Sequence, residues 1–221
     1  MEQMRILSVN TGLAESLQVG GQVQLTGINK RPVRDTVHVG ELGLANDSVC
    51  DSEHHGGVDQ AVYVYSANDY VWWSQELDRE IPYGTFGDNL TIAEFPDDMN
   101  AGDRLLVGDL ILEATAPRIP CRTLAAKMQD SNFGLRFREA ERPGVYFRVL
   151  NPGDVAAGDP VTLVEMPGES ISMLEIFRAW YQLHPPVELL QRIVAAPVAE
   201  RMLAKFSAKL SAATSANQKD D

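Results

Sequence analysis

Along the first three quarters of the chain, apolar positions come in short runs that alternate with polar ones, the two-residue period of half-buried strands. Arg5 to Val9, Val23 to Gly27, Thr36 to Val39 and Ala61 to Tyr65 read this way. So do Arg104 to Val107, Leu110 to Thr115, Val145 to Leu150 and Val161 to Glu165. Glycine or asparagine punctuates the gaps, and Gly108-Asp109 makes a hairpin-like turn between two runs. About eight short strands at this spacing predict a β-rich barrel or a folded-over mixed sheet.

Helical spacing interrupts the strands twice. Ser66-Ala-Asn-Asp69 has capping-box chemistry with Asp in place of Glu, and Tyr70, Trp73 and Leu77 follow on one face. A second helix starts near Pro120 and carries Leu124, Ala125 and Met128. After Pro167-Gly168 the composition changes. Ser172-Met-Leu-Glu175 is a capping box, with Ile171, Leu174 and Phe177 in helical phase. Pro185-Pro186 opens a helix over Val187 to Ala195, and Pro197 sits at the first turn of a third that carries Met202, Phe206 and Leu210. The chain therefore divides into a β-rich domain over residues 1–167, a small three-helix subdomain over 168–211 and a frayed tail over 212–221.

Charge narrows the partners. A formal net charge of −12 argues against binding a nucleic-acid polymer or an anionic membrane, so any anionic ligand needs a local cluster of cations. Two cysteines, Cys50 and Cys121, are too few for a secreted disulfide scaffold. The start, MEQMRILSVN, lacks the pattern of a signal peptide, and no apolar run reaches membrane-spanning length. A cytoplasmic protein is expected.

Four stretches could carry chemistry. In PRIPCRTLAAKM, Cys121 lies near a helix start between Arg118 and Arg122. Both effects favour thiolate, a nucleophile or soft-metal ligand; the alternative is an inert core thiol. In DSEHHGGVDQAVYVYS, two histidines and two glycines feed a strand. Cys50, His54 and His55 suggest zinc, but no fourth ligand stands at a recognisable spacing, and the histidines could equally serve loop carbonyls. Lys30, Arg31 and Arg34 crowd NKRPVRD, as an anion site or as a solvated edge. Asn89 in FGDNLT could bond a ligand or its own turn. Dinucleotide, P-loop, nucleophile-elbow, C-x-x-C and iron–sulfur motifs are missing, so no electron carrier is encoded.

Taken in order, four segments resemble the MOSC family, named for the C-terminal domain of molybdenum-cofactor sulfurases. They are KRPVRDTVHVGELGLANDSVCDSEHHGGVDQAVYVY, FGDNLT, AGDRLLVGDLILEATAPRIPCRTLA and GVYFRVLNPGDVAAGDPVTLVE. The helical tail is similar to that of the YiiM-like, 6-hydroxylaminopurine-resistance branch. The resemblance implies a mixed, β-rich fold: a MOSC-type β-barrel core with flanking helices and a three-helix extension. It further implies a molybdenum cofactor (molybdopterin) whose metal is held by Cys121. Lys30, Arg31 or Arg34, His55, Gly56, Gly57, Asp59 and Arg118 would surround that cofactor, and Asn89 and Arg122 join them as candidate contacts. The family's usual G-E-N-L reads Gly87-Asp-Asn-Leu90, which keeps the carboxylate, and Cys50 stands where the branch has another small residue.

The expected activity is reduction of N-hydroxylated small molecules, such as 6-hydroxylaminopurine, to amines in detoxification. Cys121 would bind the metal, and His55 and Asp59 would deliver protons. A separate electron-donating reductase is then required, and a homo-oligomer is compatible with the sequence. The competing expectation is a carrier that hands on the cofactor, or sulfur as a Cys121 persulfide, without turnover of its own.

Overall fold

In the computed structural model, residues 3–51 and 55–217 are described. The alternating runs become strands, and several further strands appear where the pattern is short or exposed on both faces. In chain order the first are β1 (Arg5–Thr11), β2 (Glu15–Val19), β3 (Gln22–Thr26), β4 (Arg31–Val33), β5 (Val37–Gly40) and β6 (Gly43–Leu44). A 3-10 turn (Val58–Gln60) leads into β7 (Val62–Ser66), α1 (Ala67–Glu76) and β8 (Leu90–Ala93). Then come β9 (Arg104–Val107), β10 (Leu110–Pro117), α2 (Arg122–Met128), α3 (Phe133–Ala140), β11 (Val145–Asn151), β12 (Gly153–Val155) and β13 (Thr162–Val164). The chain closes with α4 (Met173–Tyr181), α5 (Val187–Ala195) and α6 (Glu200–Asn217).

Eight strands form one sheet in the order β13-β9-β10-β11-β7-β8-β1-β4. All neighbours are antiparallel except β7 and β8, and α1 is the crossover that a parallel pair needs. β12, β5 and β6 make a small second sheet. β2 and β3 stand apart as a hairpin whose Gly20 and Gly21, at φ 57° and 85°, supply the left-handed pair of a two-residue turn.

The expected barrel is corrected here: the ladders do not close. Segment 158–161 meets β1 at its start, where Ile6 N–H donates to Asp159 O (3.0 Å) and Val161 N–H to Met4 O (2.9 Å). Contact between the ends of the sheet rests on the isolated bridge Arg5–Pro160. The later half of β1 is already paired to β4, so this contact does not run on into a ladder.

Local signals decide the helices. Ser66 caps α1 by accepting the Asn68 N–H at 3.2 Å, while Asp69 pairs with Arg142 instead of completing a capping box. That turns Tyr70 and Trp73 into the core, where Phe86, Phe133 and Phe137 meet them. α3 is not among the expected helices, although Phe133 and Phe137, four residues apart and both buried, carry its period. The box at Ser172 does form, with Ser172 and Glu175 bonding each other's backbone N–H at 3.1 Å. α4 packs on β10, and α5 on α6. α6 starts at Glu200, so Pro197 precedes it, and it continues to Asn217 through residues that read as tail; 218–221 lie outside the described residues. No helix among the described residues is long and apolar enough to cross a membrane.

Candidate functional site

A cavity of about 120 Å³ opens where the end of β10, the start of α2, the loop after β6 and the end of the β2–β3 hairpin converge. One water needs about 10–15 Å³, so the space suits a larger group. Lys30, His55, Gly56, Asn89, Arg118 and Cys121 all line it, and so does Cys50.

β10 ends at Pro117, and four residues later Cys121 takes the extended N-cap position of α2 (φ −117°, ψ 170°). The thiol is half-buried. Burial pushes it up, but the hydrogen bond from His55, the Arg118 charge and the Leu124 N–H outweigh that and bring it down to about 6. Cys121 is therefore largely a thiolate at neutral pH. Arg118 acts on the sulfur as its place in the sequence predicts. Arg122 does not: it is exposed and outside the cavity wall.

His55 reaches Cys121 because its own loop is pinned, the His55 N–H donating to Asp51 O at 2.9 Å. The next residue must be glycine. Gly56 has φ 73°, and a Cβ there would meet Val49 Cγ1 at 2.7 Å. Gly57 shares the left-handed backbone but lies outside the cavity wall. His54 lies outside the described residues.

Arg118 is 3% exposed. Its Nη1 donates to Phe86 O, and its guanidinium stands 5.0 Å from the Tyr63 ring centre. Tyr63 in turn packs on Tyr146 at 4.8 Å. Burial opposes the charge, but Tyr146, Tyr63 and the Cys121 sulfur outweigh it and raise the guanidinium above its ordinary value. Gly87, φ 76°, leaves room beside it, since a Cβ there would lie 3.4 Å from Arg118 Nη1.

The other charged part of the wall is a buried pair. Lys30 Nζ donates to both carboxylate oxygens of Asp47, with side chains 8% and 6% exposed. Asp47 also accepts the Gly12 N–H and Asn89 Nδ2, each at 2.9 Å. Burial lowers the Lys30 ammonium, and Asp47 opposes that without cancelling it. Asn89 has a second duty, its Oδ1 accepting the Tyr63 N–H at 3.1 Å. Behind the wall, Lys127 donates to Ile28 O (2.7 Å) and Gly84 O (3.2 Å), and burial brings it down to about 8.

Several expected contacts stand elsewhere. Arg31 is exposed and pairs with Glu15 at 2.7 Å, and Arg34 is exposed and outside the cavity wall. Asp59 is turned away from the cavity. Its carboxylate pairs with Arg148 (3.0 Å) and accepts the Glu200 N–H (2.8 Å), tying the 3-10 turn to the start of α6. The Asp88 carboxylate is fully buried under α1, accepting from Tyr70 (2.5 Å) and Thr91 (2.7 Å).

Sequence reasoning missed Asp47, Gln60, Tyr63 and Tyr146. The tyrosines are strand residues whose alternation fixes a face but not what that face meets. Asp47 carried no signal beyond its place in a turn, whereas Gln60 follows the last glycine of the H-G-G loop by three residues.

With this geometry in view, the comparisons are specific. The model of the MOSC domain matches residues 51–162. The uncharacterized protein YflK of Bacillus subtilis is 31% identical over 94% of this chain and 95% of its own length. The crystal structure of YiiM from Geobacillus stearothermophilus superposes with a TM-score of 0.78 at 27% identity, covering 94% of this chain and 99% of that one. A Gibberella moniliformis protein named "Reductase" is 28% identical over 90% of this chain, which spans 36% of that longer protein.

Proposed function

The chain belongs to the MOSC family, and from that premise we propose that it is a molybdenum-cofactor-dependent oxidoreductase that reduces N-hydroxylated compounds to amines. The observation that carries this is the Cys121 thiolate, held at about 6 in a cavity between His55 and Arg118. A soft, charged sulfur suits a molybdenum centre. Among the described residues no three His, Cys, Asp or Glu side chains gather to hold a bare ion. A metal that arrives with ligands of its own fits this donor set.

When bound, the cofactor would supply the two electrons that split the substrate's N–O bond to amine and water. The chain's part is placement and protons. Cys121 Sγ would hold the metal, and His55 and Arg118 keep that sulfur ionised. His55, already bonded to the sulfur, is the proton donor at the reacting end. Asp59 has no such part, because its carboxylate is engaged behind the wall. Lys30 and Asn89 set the wall through Asp47, while electrons come from a separate reductase.

The test is to load the protein with cofactor and assay 6-hydroxylaminopurine with an artificial reductant. Adenine should form, and Cys121→Ser should abolish both metal retention and turnover. Transfer of cofactor to an apo-enzyme, with no adenine under any loading, would establish the carrier instead.

A further inference from the structure

We infer that Gln60 reads the ligand of this cavity: its carboxamide donates to an acceptor oxygen of whatever is seated beside Cys121. Gln60 lines the cavity and is 7% exposed, and its Nε2 meets no acceptor among the described residues. A buried amide nitrogen left unpaired is a standing loss of stability, and folded proteins keep few of them. Orphan Nε atoms also occur on Arg118, Arg142 and Arg148, but those guanidiniums bond through their other nitrogens. Gln60 is the one carboxamide so placed among the described residues.

Its backbone is fixed from behind. The Gln60 N–H donates to Gly57 O at 3.2 Å, closing the 3-10 turn. Thr115 Oγ1 donates to Asp59 O at 2.5 Å, and Arg148 and the Glu200 N–H hold the Asp59 carboxylate. The side chain is thus committed to the wall that also carries Arg118. An amide N–H in the same cavity wall as a guanidinium favours an oxygen acceptor over an apolar group or another donor. The class is an oxyanion or an N–O oxygen. This inference rests on the cavity being the ligand site proposed above, and not on the redox step performed there.

Opposite signs in two measurements test it. Gln60→Met matches length and removes the unpaired donor, so the ligand-free protein should melt at a higher temperature than wild type. The same variant should bind ligand about tenfold more weakly, the loss expected for one hydrogen bond from a buried donor. Gln60→Glu keeps the shape and removes the donor, and should lose an oxyanion still more completely. Calorimetric titration of cofactor-free protein with molybdate, and separately with 6-hydroxylaminopurine, distinguishes the sources. A loss confined to molybdate assigns the oxygen to an anionic ligand, and a loss confined to the purine assigns it to the substrate. If Gln60→Met melts lower, or neither probe is weakened in either variant, Gln60 is a wall residue and the inference is overturned. Absence of turnover in the loaded assay would strike the proposed chemistry and leave these two results standing.

Discussion

The two sides of the cavity are built on different terms. The inner wall is made by strands of the central sheet and by residues anchored to them: Tyr63, Asn89, Arg118, Tyr146 and the Lys30–Asp47 pair, nearly all buried. The rim comes from the β2–β3 hairpin and the loop after β6, where Gln24, Leu25, Cys50 and Asp51 are exposed. Lys30 and Arg31 show the contrast at one peptide bond. Lys30 turns in to a carboxylate with which it shares a buried wall, and Arg31 turns out to Glu15 in solvent. Charges on the inner wall can act on a ligand because low polarity preserves their fields, while those on the rim are screened.

The largest effect should come from breaking the buried pair. Lys30→Met leaves the Asp47 carboxylate buried without its countercharge, so unfolding by urea should show a loss of about 3–5 kcal/mol. A loss no greater than an ordinary surface substitution would mean that Asn89 and the Gly12 N–H satisfy Asp47 alone, and the inner wall would not depend on charge pairing.

Next in size is the difference between the two thiols. Alkylation of ligand-free protein should show a pH inflection near 6 that vanishes in Cys121→Ser, survives in Cys50→Ser and moves upward in His55→Gln. Stability carries the same signature. Because the folded thiol lies below its unfolded value, the thiolate's contribution is fully present above the unfolded pKa of about 8.5. It is lost as pH falls through about 6. The melting-temperature difference between wild type and Cys121→Ser should therefore shrink from pH 9 to pH 6. An inflection that stays in Cys121→Ser would place the reactive thiol on the rim.

That contrast also explains what could be read in advance. Cys121 was legible because its causes are partly local: Arg118 lies three residues away, and a helix begins at the next residue. Its strongest helper was not, since His55 reaches it only through the fold. Asp59, two residues beyond Gly57, reads as a catalytic acid, yet its partners Arg148 and Glu200 are distant in sequence and draw it behind the wall. The strand count suggested a barrel, but closure depends on which edge of β1 is free, and its pairing with β4 leaves only a single bridge at its start. Period and capping residues determine elements; the pairing of distant polar groups determines the site.

The smallest effect should be at Arg31. The Arg31–Glu15 contact is a close, two-nitrogen pair, with Nη1 at 2.7 Å and Nη2 at 3.3 Å from the two carboxylate oxygens. Geometry of that quality usually marks a useful ion pair, but the guanidinium is 70% exposed. Water solvates both groups when they part, and salt screens them when they meet, so little is gained by holding them together. Arg31→Ala should leave the urea midpoint within the scatter of wild type and cofactor retention unchanged, at low salt as well as high. If instead retention falls at low salt, and the difference from wild type shrinks as salt is raised, Arg31 reaches the ligand from the rim. The division between a working inner wall and a solvated edge would then have to be redrawn to include the β4 side of the cavity mouth.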